Sequence, residues 1–187
     1  MNEQLASIVK KEVEANQVRV HLGRPIERID RNEKSLRLLG PGLQLDGDMV
    51  LVAVGVRPNS ELAEEAGLAL GPGRSIAVDR TLRTSDPDIY AAGDCADSFH
   101  VVTGQRAWIP LALRANRAGW AASDNVLGGK VELQGVAGTA VFKVFDLEVA
   151  RTGLSVEEAR KAGFDPAEIV IQSQRRGHNY PGTHGSR

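Results

Sequence analysis

The residue types best suited to chemistry concentrate in one stretch, residues 84–96, which reads Thr-Ser-Asp-Pro-Asp-Ile-Tyr-Ala-Ala-Gly-Asp-Cys-Ala. Ser85, Asp86 and Pro87 favour a tight polar turn. Residues 89–92 then form an apolar run of buried-strand length, closed by Gly93-Asp94. Small residues at a strand end let a ligand or another backbone come close. A carboxylate just beyond that end accepts hydrogen bonds from sugar-type hydroxyls, and this is where open α/β sheets place their ligands. A buried strand followed by a solvated turn reads the same way from these residues alone. A second cluster is Trp108-Ile109-Pro110-Leu111-Ala112. Pro110 suits a first helical turn, and the free N–H groups and positive dipole end there stabilise partial negative charge. A plain helix start with a proline is the alternative.

Other candidates carry less. Cys95 is the single cysteine, which excludes an internal disulfide or a Cys-rich metal site. It reads as a small buried residue, not a redox thiol. His100 reads as a surface histidine. His178 and His184 have no metal-ligand spacing, and no Ser/His/Asp arrangement stands out.

Composition bounds the setting of these residues. The chain has 187 residues, 42% hydrophobic and 25% charged, with a net charge of −1. That is one or two ordinary globular domains, with no charge run that points to nucleic acid or an acidic membrane surface. No apolar run is long enough to span a bilayer, and the N-terminus lacks signal-peptide order. A soluble cytoplasmic protein is expected.

The elements that must position the candidates follow in chain order. Leu5, Ile8, Val9 and Val13 predict an amphipathic helix over 3–15, with Asn2 as N-cap and Asn16 ending it in a left-handed conformation. Val18, Val20 and Leu22 alternate as a strand; Ile26 with Ile29, and residues 36–39, suggest two more. Residues 49–54 are a continuous apolar run, expected of a strand covered on both faces, and leave the core at Gly55-Val56-Arg57-Pro58-Asn59. A short helix is predicted over 60–66 and a strand at Ile76 and Val78. A longer helix runs from 110 to about 127, with Leu111, Ala115, Ala118 and Ala122 as a close-packing face. A domain boundary is placed near Gln134. Residues 140–145 read as a strand, Ser155-Val156-Glu157-Glu158 as a capping box that starts a helix, and residues 169–171 as another strand.

Residues 84–94 resemble the second flavin-binding motif of the pyridine nucleotide-disulfide oxidoreductases. The resemblance implies an α/β fold with three divisions. Residues 1–57 would be the C-terminal part of an NAD(P)-binding domain and 58–134 that of an FAD-binding domain, both Rossmann-like and three-layered. Residues 135–187 would begin an α+β dimerisation domain, in which Gly138-Thr139 and Phe145-Asp146-Leu147 match the family's opening. The cofactors implied are FAD and NAD(P)H. Asp94, with Thr84 and Gly93, would bind FAD, Asp94 holding its ribityl chain. The helix start at Pro110, Leu111 and Ala112 would face the pyrimidine side of the isoalloxazine, where a reduced flavin gathers negative charge. Val54 and Gly55 would lie near NAD(P)H.

Residues 176–182, Arg-Gly-His-Asn-Tyr-Pro-Gly, resemble the His-Tyr-Tyr-Pro-Gly segment of coenzyme A-disulfide reductases and their NADH oxidase relatives. Asn179 departs from that pattern, and a polar Pro-Gly turn is the other reading. The resemblance makes Tyr180 catalytic, reaching across a homodimer to the partner's thiol substrate. The chain has no Gly-x-Gly-x-x-Gly turn, so it is expected to be a fragment, colourless when purified. The intact parent would reduce coenzyme A disulfide or a related small-molecule disulfide. The alternatives are an NADH oxidase or peroxidase, a persulfide reductase, or a non-catalytic dimerisation module.

Overall fold

A computed structural model describes residues 3–171. The chain divides into two compact units, Met1–Gly153 and Leu154–Arg187.

The first unit opens with helix α1 (Glu3–Ala15). Its polar face carries the i,i+4 pair Lys10–Glu14, a small stabilising contribution on an exposed helix. Asn16 ends α1 differently from the expectation. Its side-chain amide donates to the Glu12 carbonyl at 2.9 Å, and Gln17 is the residue with positive φ (63°).

An antiparallel meander follows: β1 (Arg28–Arg31), β2 (Leu36–Gly40) and β3 (Leu43–Gly47). β1 pairs Ile29 with Leu38, and β2 pairs Leu38 with Leu45. Pro41-Gly42 forms the two-residue connection from β2 to β3, with Gly42 at φ +67°. β3 is a strand that the sequence analysis does not predict. Residues 18–21 belong to no strand, because the alternation of Val18, Val20 and Leu22 finds no pairing edge among the described residues.

The largest correction concerns residues 49–54. They are assigned to no strand, and Leu51 and Val54 are 88% and 91% exposed. A strand of this composition takes its burial from a strand on each side and a layer on each face. No described segment supplies them. Residues 169–171, in the second unit, likewise form no strand and are exposed.

After α2 (Glu61–Glu65) and a short 3₁₀ turn at Pro72–Arg74, the chain enters the core. Ile76 bridges Leu70 on one side and Ala96, in parallel, on the other. Val78, Leu82, Ala96, Ala118 and Ala121 form the buried cluster, with Tyr90, Ala91, Ala92, Ala122 and Leu133 packed against it. The paired strands β4 (Ser98–Phe99) and β5 (Arg106–Ala107) lead to helix α3 (Ala112–Val126). α3 buries Arg114, Ala118, Ala121 and Asn125, a face rotated from the one expected. Alanines at its centre let the helix lie close to the core. Asn125 anchors the far end: its amide nitrogen donates to the carbonyls of Thr81 and Val131, and its oxygen accepts from Val131 N–H at 2.7 Å.

Strands β6 (Ala140–Val144) and β7 (Leu147–Arg151) close the first unit as an antiparallel hairpin. A single strand was expected here. Phe145, at φ 49°, makes the turn, and the alternation of Leu147 and Val149 forms the return strand. The second unit contains α4 (Val156–Lys161), started by the capping box foreseen in the sequence: Ser155 Oγ accepts from Glu158 N–H, and Ser155 N–H donates to the Glu158 carboxylate at 2.7 Å. Among the described residues no helix is long and apolar enough to cross a membrane.

Candidate functional site

The site is built around the end of the 84–96 run. Thr84 Oγ exchanges hydrogen bonds with the Asp86 backbone, and Thr84 N–H donates to the Ile89 carbonyl. Thr84 thus shapes the turn. Ile89 is exposed, and residues 90–92 pack against the buried cluster and lead to Gly93, whose φ of +95° is a conformation glycine adopts without steric cost.

Every carbonyl from 92 to 97 is then claimed by the protein. Ala92 O accepts from Cys95 Sγ. Gly93 O accepts from Arg114 Nη1 at 2.9 Å and from Ala96 N–H. Asp94 O accepts from Trp108 Nε1 at 2.7 Å, and Cys95 O from Ile76 N–H at 2.8 Å. Ala96 O accepts from Arg114 Nη1 at 3.4 Å, and Asp97 O from Arg114 Nη2. The opposite polarity is free: the amides of Gly93, Asp94 and Cys95 have no acceptor among the described residues. The Asp94 side chain is exposed, and Cys95 is half-buried.

The start of α3 has the same character. Its N-cap, Leu111, is extended (φ −131°, ψ 133°) and has no side-chain cap. The first helical N–H groups are left for solvent or a ligand. Arg114, in this first turn, reaches back to Gly93, so the two sets of free amides are joined through one side chain. Trp108, just before the helix, adds the second tie.

An ion pair between a buried carboxylate, Asp97, and the exposed Arg106 fixes the loop from beneath. Asp97 is fully buried and accepts from Val78 N–H at 3.0 Å and from Arg106 Nη1 at 2.8 Å. Gly71 leaves room for it: a Cβ there would lie 2.3 Å from Asp97 Oδ2. Arg114 is 8% exposed. Burial holds its guanidinium below the ordinary arginine value, against the opposing pull of Asp97, Cys95 and Asp94. Arginine nevertheless stays charged.

A cleft of about 480 Å³ adjoins the helix start, between α3 and residues 132–139. Leu111, Leu113 and Arg117 line one wall, and Val136, Gly138 and Thr139 the other.

The structure therefore brings Gly93 and Asp94 together with the helix start at Pro110, Leu111 and Ala112. Val54 and Gly55 lie in the exposed segment after residue 49, with nothing within 4 Å of a Cβ built on Gly55, and no hydrogen bond ties them to the loop. Tyr180 lies outside the described residues, as does the rest of 176–182. The sequence reading missed Arg114 and the Asp97–Arg106 pair, and it gave Trp108 no contact of its own. One signal was available for Arg114: it stands one turn before Ala118 on the small-residue face of α3. His100, read as a surface residue, is buried, and its Nδ1 accepts from Val102 N–H at 3.2 Å.

A family model described as pyridine nucleotide-disulphide oxidoreductase matches residues 1–119. The chain belongs to this family. Among its members, a CoA-dependent NAD(P)H sulfur oxidoreductase of Pyrococcus furiosus is 39% identical over 154 residues, covering 82% of this chain and 35% of the relative. The solved structure of an NAD-dependent persulfide reductase from A. fulgidus superposes with a TM-score of 0.89 at 37% identity, over 97% of this chain and 34% of that one. An FAD-dependent pyridine nucleotide-disulphide oxidoreductase from Desulfovibrio vulgaris gives a TM-score of 0.79 at 37% identity, over 88% and 42%. The α/β fold is thus that of part of these oxidoreductases, and the chain spans about a third to two fifths of their length. The oxidoreductases of this family use FAD and NAD(P)H.

Proposed function

We propose that the chain supplies the ribityl- and pyrimidine-facing side of an FAD site in an NAD(P)H-dependent reductase of a small-molecule disulfide, coenzyme A disulfide or a related thiol compound. The observation that carries this is the loop at 92–97: its carbonyls are all held by the protein, its first amides are free, and Arg114 joins it to the uncapped start of α3. A ligand rich in acceptor oxygens, with hydroxyls for the exposed Asp94 carboxylate, fits these donors and this acceptor.

Gly93 allows close approach, Asp94 accepts from the ribityl hydroxyls, Pro110 leads the chain into the helix, and the N–H groups of Leu111 and Ala112 face the place where negative charge develops. Thr84 holds the turn that starts the motif. Bound FAD supplies two-electron transfer between the nicotinamide and a sulfur substrate. Val54 and Gly55 belong to the NAD(P)H side of this reading, and Tyr180 to the thiol side, acting across a homodimer in a cytoplasmic enzyme. The divisions 1–57, 58–134 and 135–187 are the domain portions that go with it. The likeness to the A. fulgidus persulfide reductase favours a second reading, with a persulfide in place of the coenzyme A disulfide.

The experiment is a titration of the chain with FAD, followed by amide NMR. The reading expects FAD-dependent shifts confined to residues 93–95 and 111–114. Shifts scattered over other surfaces, or none as FAD is raised past about 1 mM, where binding is worth only about 4 kcal/mol, would overturn it.

A further inference from the structure

We propose that Arg114 is a positioning residue of this site, locking loop 93–97 and the first turn of α3 into one register. The inference rests on the flavin reading for its ligand.

One guanidinium spans three carbonyls. Nη1 donates to Gly93 and Ala96, and Nη2 to Asp97. The planar fork of arginine makes this possible; a lysine ammonium is a compact point charge and cannot span the same set. Among the described residues no carboxylate forms an ion pair with this cation. The Asp97 carboxylate accepts from Arg106 and from Val78 N–H, so Arg114 meets only the Asp97 main chain. Its Nε has no partner among the described residues and is itself buried.

A buried cation held by neutral carbonyls, with one donor unmade, is a costly way to fill a helix face. Alanine fills the next two positions of that face, Ala118 and Ala121. Geometry accounts for the arginine better than stability does. Gly93 and Ala96 flank Asp94 and Cys95 on either side, and both are held from α3. Trp108 holds the Asp94 carbonyl between them. The Asp94 carboxylate and the helix amides therefore keep a fixed separation before any ligand arrives, which is what a preorganised site requires.

Hydrogen exchange on the full chain tests the coupling. In Arg114→Gln the amides of Ala96 and Asp97 on the loop and of Ala115 on the helix should exchange faster together, by about tenfold or more, as expected for the loss of hydrogen bonds from a charged donor. The Leu82 and Ala91 amides should keep their rates. Arg114→Lys, which retains charge and stem, should behave like Arg114→Gln, and carries the test if the glutamine variant does not fold. Methylguanidinium added to Arg114→Ala should slow the exchange again. Wild-type exchange in Arg114→Lys, faster exchange on one segment only, or an equal rise at Leu82 and Ala91 would each overturn the coupling. FAD then separates the two readings. Shifts at Gly93 and Asp94 that weaken in Arg114→Lys support both. Equal shifts in wild type and Arg114→Lys overturn the role of Arg114 and leave the flavin reading standing. No shift in the wild type overturns the flavin reading, and the ligand named here with it.

Discussion

The buried Asp97 carboxylate sits directly above Gly71, with Oδ2 only 2.3 Å from where a Cβ would stand. The close approach links the 3₁₀ turn at Pro72–Arg74 to the floor of the candidate site. Gly71→Ala cannot be accommodated without moving Asp97 off Arg106 or Val78 N–H. Leaving a buried polar group unsatisfied costs about 1–3 kcal/mol, more for a charged one. Urea unfolding should show a loss of at least that size, with the slope unchanged.

Leu82 combines burial with strain. It is 1% exposed and adopts φ 69°. The turn before it is held by Asp79, whose Oδ1 accepts from Thr81 N–H, Thr81 Oγ and Arg83 N–H. Leu82→Ala keeps the unfavourable backbone conformation and removes the side chain that offsets it. A loss of about 2–5 kcal/mol is expected, the usual cost of such a core truncation. A loss below about 1 kcal/mol, the range of tolerated swaps, would show that the core collapses around the site.

Asp79 also gives a pH dependence. Burial pushes its carboxyl upward, but the hydrogen bonds from Thr81 and Arg83, with the Arg83 charge, outweigh it, and the net direction is below the ordinary value of 3.8. A depressed folded value means stability that is complete above the unfolded value and is lost as pH falls through the folded one. Wild type and Asp79→Asn should therefore differ in denaturant midpoint at neutral pH and converge as the pH falls through the depressed folded value of Asp79, below its ordinary one. A constant difference down to low pH would assign the effect to shape, not charge.

Legibility from the sequence followed how local each feature is. α1, α3 and the capping box of α4 depend on spacing and on side chains within one turn, and their residues announced them. The meander and the β6–β7 hairpin were only half visible. Short strands need partners, and Phe145 turns the chain with φ 49° where no glycine marks it. Residues 49–54 were misread because an apolar run signals what a strand could be covered by, not what covers it. At the site, Gly93-Asp94 and Pro110 to Ala112 stood out by type and order. Arg114 did not, since its partners are main-chain carbonyls 17 to 21 positions away, and carbonyls leave no mark in a sequence.

Asp94 itself should matter little to folding. Its side chain is exposed, and only its main chain is held, by Trp108. Asp94→Ala should change thermal stability by no more than about 0.5 kcal/mol, the usual range for surface substitutions. A large loss would mean that the carboxylate serves the fold.

The most direct measurement compares FAD titrations of wild type, Asp94→Ala and Asp86→Ala, followed at the Gly93, Asp94 and Leu113 amides, reading the neighbouring Cys95 amide where residue 94 is changed. Both carboxylates belong to the same motif, but that of Asp86 accepts from Asp88 N–H within the turn. A flavin site at Gly93-Asp94 predicts saturable shifts in wild type and Asp86→Ala that are lost in Asp94→Ala. Equal shifts in all three proteins, or none in the wild type, would contradict it.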